Sequence, residues 1–281
     1  FHHRRDDRRR RWSVEVSAVI YLGTSGFSFK DWVGTVYPQD IRRSGMLRYY
    51  ALEWKFNAVE LNFTYYAPLS ARTAVSLLRK TPSDFVFTVK LPGPVTHEFW
   101  KTGNSPNTND TLTKFLESLK PFDQEGRTKV LLAQFPWSFQ NRPETVEYLK
   151  SLKTFIRSRD LAVEFRHRSW VDEKVYELMG SLHITHVIAD EPMLDALYPY
   201  IPRITSKIAY FRFHGRNPNW FHAFGSERYN YDYSEEELKS FAKDIKKAAR
   251  SAEDVFIFFN NCFNGKAVLN GLTLRKLLQE S

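Results

Sequence analysis

Glu60, Glu164 and Asp190 stand against Lys90, Arg166 and Arg212: three acids and three bases, each at or near the end of a short apolar run. Such groups, with His214 beside them, can hold an anion, abstract a proton or return one. Side chains alternate faces along a strand, so residues two apart share a face. Val59 and Leu61 therefore face one way, and Glu60 and Asn62 the other. Leu161, Val163 and Phe165 oppose Ala162, Glu164 and Arg166; Phe211 and Phe213 oppose Tyr210, Arg212 and His214. Thr88 falls with Lys90, and Phe256 and Phe258 with Asn260. Adding Gln134 and Asp190 at two further strand ends gives one polar set: Glu60, Asn62, Lys90, Gln134, Glu164, Arg166, Asp190, Arg212, His214 and Asn260. A lone buried charge costs several kcal/mol, so such a set is either a mutually neutralising ion network or a functional site.

Three kinds of chemistry suit these residues. In an anion site, Arg166, Arg212 and Arg216 would bind bidentately, helped by Lys90, with Gly215 letting backbone approach the ligand. Glu60 or Glu164 would be the general base and His214 the general acid or an orienting donor, with Asp190 a further catalytic carboxylate. A metal centre would draw on His97, His167, His214, Glu60, Glu164 and Asp190. No HExxH or paired-His spacing occurs and three cations compete for the carboxylates, so the cofactor is unknown and a divalent metal is not favoured. Nucleophilic catalysis is weakly supported, because Ser25 is not in a GxSxG elbow and Cys262 has no evident His partner. Phe27, Trp32, Tyr65, Tyr66, Trp170 and Trp220 could stack on a base or sugar, or simply pack the loops.

The elements that must position these groups are eight short apolar runs, at 19–23, 58–62, 85–90, 130–135, 161–166, 186–190, 208–214 and 255–260. Amphipathic stretches lie between them at 46–56, 71–79, 112–119, 143–156, 174–182, 235–249 and 266–278. Ser70 and Ser234 stand at N-cap positions, the latter before Glu235, Glu236 and Glu237. Eight strands alternating with helices predict an α/β protein, a (β/α)8 TIM barrel of one domain, whose active sites lie at the C-terminal strand ends. The crossover at 191–207 is Pro-rich and weakly helical, and 92–110 reads as an irregular loop covering the site. An open doubly wound sheet would need a GxGxxG turn, and TSGFSF after the first strand lacks it.

The 281 residues suit one such barrel, and 42% hydrophobic content excludes a disordered or fibrous chain. A single cysteine excludes a disulfide framework and fits a reducing, cytoplasmic setting. No run is long and apolar enough for a membrane helix. The formal charge is +9, of which residues 1–11 supply +4. Residues 1–18 read as a disordered basic arm or a non-native extension, and 19–281 as the barrel. A barrel of this size buries its own core, so a monomer is expected.

Taken in order, GTSGFSFKDWVGTVYP at 23–38, VELNFTYY at 59–66, FTVKLPGPVTH at 87–97, QFPWSF at 134–139, AVEFRHRSW at 162–170, FRFHGR at 211–216 and FFNNCFNGKAVLN at 258–270 resemble one family. It is domain of unknown function 72, the YecE-like proteins, and the likeness spans about residues 21–278. The resemblance implies a TIM barrel and no established activity. It also implies a site at Glu60, Asn62, Lys90, Thr96, His97, Gln134, Glu164, Arg166, Trp170, Asp190, Arg212, His214 and Asn261. Phe27 and Phe29 stand where the family often has tryptophan and tyrosine, which removes an indole donor and a hydroxyl near the mouth.

The leading expectation is an enzyme on a small phosphate-bearing or otherwise anionic substrate, in its sharper form a phosphodiester or nucleic-acid hydrolase. Two alternatives stand beside it: a sugar isomerase or lyase in which the arginines tune carboxylate pKa values, and a non-catalytic nucleic-acid binder.

Overall fold

The computed structural model describes residues 18–103, 110–220, 222–223 and 225–280. The expected arm at 1–18 lies outside the described residues except for Ala18. Eight strands follow the expected runs: β1 (Val19–Thr24), β2 (Ala58–Leu61), β3 (Val86–Lys90), β4 (Thr128–Gln134), β5 (Asp160–Glu164), β6 (Ile184–Asp190), β7 (Ile208–Phe213) and β8 (Asp254–Phe259). All neighbouring pairs are parallel, in the order β1-β8-β7-β6-β5-β4-β3-β2, with helices outside. This is a nearly closed TIM barrel.

Local sequence explains most of the connections. Ser70 accepts from Thr73 N at 3.0 Å to open Ala71–Arg79. Ser234 and Glu237 form a reciprocal capping box at the start of Glu235–Ala248. The β6–β7 crossover has no helix, as Pro192, Pro199 and Pro202 predict, since each removes a helical donor. The stretch 92–110 departs from the irregular loop expected. It carries short helices at Gly93–His97 and Phe99–Thr102, with Pro94 in a first turn where its missing N–H costs nothing; residues 104–109 lie outside the described residues.

Parity sorts the core into two bodies. Tyr21, Ala58, Val86, Val130, Leu132, Ala162, Val187, Ala189, Ile208, Tyr210, Phe256 and Phe258 fill the barrel floor. Their strand neighbours pack outward under the helices. The floor is aromatic on the β1-β8-β7 side, where Tyr21 stacks on Phe256 at 4.7 Å and Tyr210 lies 5.4 Å from Phe258. The charged groups that bond to one another across the barrel lie above this layer, towards the C-terminal ends.

The seam between β1 and β2 closes differently from the other seven. Side chains replace most of its ladder. Asn57 Nδ2 donates to Ile20 O and its Oδ1 accepts from Leu22 N, both at 2.8 Å. Tyr50 OH donates to Ala58 O at 3.0 Å and accepts from Thr24 N at 2.7 Å. Gly23 allows this approach, because a Cβ there would lie 2.0 Å from Ala58 O. Above it, Gly26 N donates to Glu60 O at 2.9 Å, which ties the seam to the first acid of the polar ring. Among the described residues, no helix is long and apolar enough to cross a membrane.

Tyr50→Phe keeps the ring and removes the bridge, leaving Thr24 N and Ala58 O unpaired in a buried seam. The variant should lose about 1–3 kcal/mol of stability, read as a lower urea midpoint. An unchanged midpoint would mean the seam does not depend on the hydroxyl.

Candidate active site

Arg212 is the centre of the polar layer and is 1% exposed. From β7 its Nε and Nη2 donate to Glu60 Oε2 and Oε1 on β2, at 3.0 and 2.6 Å. Its Nη1 donates to Glu164 Oε2 on β5 at 2.5 Å. Tyr210 OH adds a bond to Glu60 Oε2 at 2.7 Å, its ring reaching up from the barrel floor. Burial alone would raise both carboxyls, but the Arg212 charge and these bonds outweigh it, so both are held below the usual range, Glu164 far below. Arg166 and His214 add to the effect at Glu164.

Arg166 continues the network. Its Nη2 lies 2.7 Å from Glu164 Oε1, and its Nη1 is bonded to Glu191 Oε2. Both Nη atoms of Arg166 and all three nitrogens of Arg212 are engaged, while the buried Arg166 Nε has no hydrogen-bond partner. His214 Nε2 lies 3.0 Å from Glu164 Oε1, and the Asn260 amide nitrogen lies 2.8 Å from Nδ1. With that amide donating, the single imidazole proton sits on Nε2 and points at Glu164. Burial, then the flanking arginines, hold His214 neutral with a pKa near 3. Thus Glu60, Glu164, Arg166 and Arg212 form the mutually neutralising network, which the sequence offered as one of its two readings of the ring.

One expectation about this ring needs correction on β6. Asp190 does not face the barrel axis. Val187 and Ala189 do, so Asp190 falls with Ile188 on the outer face. There Arg216 chelates it, with Nε at 3.0 Å and Nη2 at 2.6 Å, and Tyr233 OH donates at 2.6 Å. Arg216 also bonds Glu237 Oε1 at 3.0 Å, so its fork is engaged too. The inward acid is Glu191, the next residue, which the sequence reading missed. The 2.0-residue period contained the signal: Val187 and Ala189 continue to Glu191.

Other expected residues also lie away from the mouth. Trp170 is buried in the helix–strand layer, stacked on Phe165 at 4.3 Å, with its indole N–H donating to Phe139 O at 2.6 Å. Asn261 Nδ2 bonds Asn270 Oδ1 at 2.6 Å and Tyr231 O at 2.9 Å, fastening a loop to the last helix. Gly215 meets no ligand path: its φ is +87°, and a Cβ would sit 2.6 Å from Tyr231 Cβ. His167 turns to Ser169 and Trp137.

The rim of the mouth holds Asn62, Lys90, His97, Gln134 and Asn260, all partly exposed. Lys90 Nζ donates to Gln134 Oε1 at 2.9 Å and lies 4.7 Å from the Tyr65 ring centre. Burial, then the Arg212 charge, brings its pKa down to about 8, against the pull of Glu164 and Glu60. His97 Nδ1 lies 2.8 Å from Thr96 Oγ1; burial and then Lys90 keep it neutral, near 4. Trp220 covers the Arg166 guanidinium at 5.8 Å and packs on Tyr229. Glu191 is 5% exposed, and its Oε1 has no hydrogen-bond partner. Burial raises its carboxyl to about 7 in spite of Arg166. Among the described residues, no group of three His, Cys, Asp or Glu side chains could hold a metal ion.

The family model described as protein of unknown function DUF72 matches residues 21–281. The UPF0759 protein YunF of Bacillus subtilis (strain 168) is 31% identical over 275 residues, which are 92% of this chain and 95% of that protein. A DUF72 family protein from Thermotoga maritima MSB8 has a similar crystal structure: 49% identity, a TM-score of 0.87, and coverage of 93% of this chain and 99% of that one. A DUF72 family protein from Enterococcus faecalis V583 gives 27% identity and a TM-score of 0.81, over 94% and 96% of the two chains.

The raised Glu191 carboxyl has a thermodynamic consequence. The folded chain keeps its proton up to about pH 7, whereas the unfolded chain releases it near about pH 4.5. Ionisation therefore destabilises the fold as pH rises through that window. Glu191→Gln cannot ionise, so its stability relative to the parent should climb from about pH 4.5 to 7, by up to about 1.4 kcal/mol per pH unit. Paired urea titrations would show it; a constant difference would refute the raised carboxyl.

Proposed function

The chain belongs to the DUF72 family, and we propose that its barrel mouth is the active site of an isomerase or lyase that moves a proton within a small, oxygen-rich carbonyl substrate. Glu191 is the acid–base group. Lys90 holds the reacting oxygen, and the amides of Asn62, Gln134 and Asn260 orient hydroxyls.

One observation carries this reading. Glu191 Oε1 is buried without a partner although Oε2 is bonded to Arg166, whereas both carboxylate oxygens of Glu60 and of Glu164 are bonded. An orphaned buried oxygen loses about 1–3 kcal/mol unless a water or substrate group meets it. A carboxyl poised near neutrality can both take and return a proton at working pH. A cation on the far wall then stabilises the charge that develops on the carbonyl oxygen when the adjacent proton leaves. β3 and β6, which bring the two groups, stand three strands apart in the barrel order.

The same geometry argues against a phosphodiester or nucleic-acid hydrolase built on arginine clamps. Arg166, Arg212 and Arg216 each hold two carboxylates, and the donor that Arg166 leaves unpartnered is a single buried Nε, so none offers an unoccupied two-donor fork to phosphate. They serve to fix carboxylate charge, as the isomerase alternative requires. Binding of nucleic acid through a basic arm rests on residues outside those described.

The test is solvent exchange. The protein in heavy water, with a panel of small hydroxyketones and keto sugars, should wash deuterium into the carbon beside the carbonyl of at least one compound, followed by NMR. Glu191→Gln should slow that exchange by about 100-fold or more while still melting in one cooperative transition. Phosphodiester cleavage without any exchange would overturn the reading.

A further inference from the structure

We infer that Lys90 is a covalent catalytic residue whose Nζ condenses with the carbonyl carbon of an aldehyde or ketone substrate to form an imine. This rests on reading the mouth as a site for carbonyl compounds, and it adds a bond to what was there a charge contact.

The placement is the first argument. Lys90 is the last residue of β3, where its backbone oxygen accepts from Thr64 Oγ1 at 2.6 Å, so its stem is fixed at the rim. Its Nζ has no carboxylate within 4.0 Å among the described residues. It is held instead by a neutral amide, Gln134 Oε1, and by the Tyr65 ring face. Lys114, Lys150, Lys207 and Lys239, by contrast, each lie against an acid. A lysine tied to a carboxylate stays protonated and cannot attack a carbonyl; one on an amide can lose its proton.

Every charged or titratable group facing Nζ works towards that end or is balanced. Arg212 on β7 and Arg166 after β5 oppose its charge, Glu60 on β2 and Glu164 on β5 favour it, and His97 beyond β3 is neutral. With burial, the amine comes down to about 8. At pH 7 about 9% is then free base, about 300-fold more than for a lysine at its ordinary value. This is the usual route to a nucleophilic lysine, beside other cations in a partly dry pocket.

The step balances without a further reagent. The nitrogen lone pair forms the C–N bond as the carbonyl π pair moves to oxygen. Both amine hydrogens then leave with that oxygen as one water, giving C=N. Once protonated, the imine withdraws electrons from the adjacent carbon, which makes the proton that Glu191 removes more acidic.

Borohydride trapping tests this without requiring turnover. The protein is incubated at pH 7 with dihydroxyacetone or with pyruvate, reduced, digested and mapped by mass spectrometry. The reduced adduct should sit on Lys90 at least about ten-fold above exposed Lys55 and Lys101, and its yield should rise with a midpoint near pH 8. Lys90→Arg and Lys90→Met, checked for folding by their melting curves, should lose it. Pyruvate and dihydroxyacetone separate an anionic from a neutral carbonyl preference, and an adduct with either supports the inference. Labelling spread evenly over the lysines would overturn it. An adduct on Lys90 without deuterium exchange would sink the proton-transfer reading alone, and exchange that survives Lys90→Arg would sink the imine alone.

Discussion

Arg212 bonded to two buried glutamates is the interaction on which the rest of the site depends. A guanidinium and two carboxylates with almost no solvent contact would each be costly alone. Held together across the barrel from β2, β5 and β7, they satisfy one another with four short bonds, counting Tyr210. Arg166 brings the second positive charge that two carboxylates require, and in doing so reaches past Glu164 to Glu191. The deep layer is therefore neutral with Glu191 protonated and carries one negative charge with it ionised. That is a physical reason for a carboxyl that titrates near 7 at this position and nowhere else in the network.

The same layer governs the rim. Lys90 looks down on two arginines and two glutamates whose fields nearly cancel, so burial decides its pKa. His214 is neutral for a related reason: burial lowers its pKa, and the charges of Arg166 and Arg212 oppose the pull of Glu164. Four charges are thus fixed below, and the two groups with pKa values brought towards neutrality, Glu191 and Lys90, lie at their edge.

Much of this was legible in the sequence because period-2 alternation is enforced by geometry. Where a strand has large apolar residues on one face, as with Phe211 and Phe213, the opposite residues could be assigned inward with confidence. β6 defeated the reading because polar residues stand on its outer face. Its outer face carries His186 and Asp190, so polarity no longer marks the inside, and only the small Ala189 hinted at which face looked into the crowded mouth. Trp170 and Asn261 failed for another reason. Both entered through the family resemblance rather than strand parity; they lie beyond the ends of their strands, and where a loop residue points is set by packing partners that no local pattern contains. A mutually neutralising network was one of the two readings the sequence allowed, but which acid each arginine holds depends on distances between strands far apart in the chain.

Closure and chemistry meet at Glu60. Its backbone oxygen receives Gly26 N across the β1–β2 seam, and its side chain receives Arg212. The seam is where the ladder gives way to Tyr50 and Asn57, so it is the place where the barrel could most easily spread. Spreading would carry Glu60 away from Arg212 and strand buried charge, at a cost of about 3–5 kcal/mol for a broken buried pair. The ion network thus acts as a latch on the weakest seam of the barrel. In turn, the seam holds one carboxylate at the position that occupies Nε and Nη2 of Arg212 and leaves that arginine no fork for a ligand.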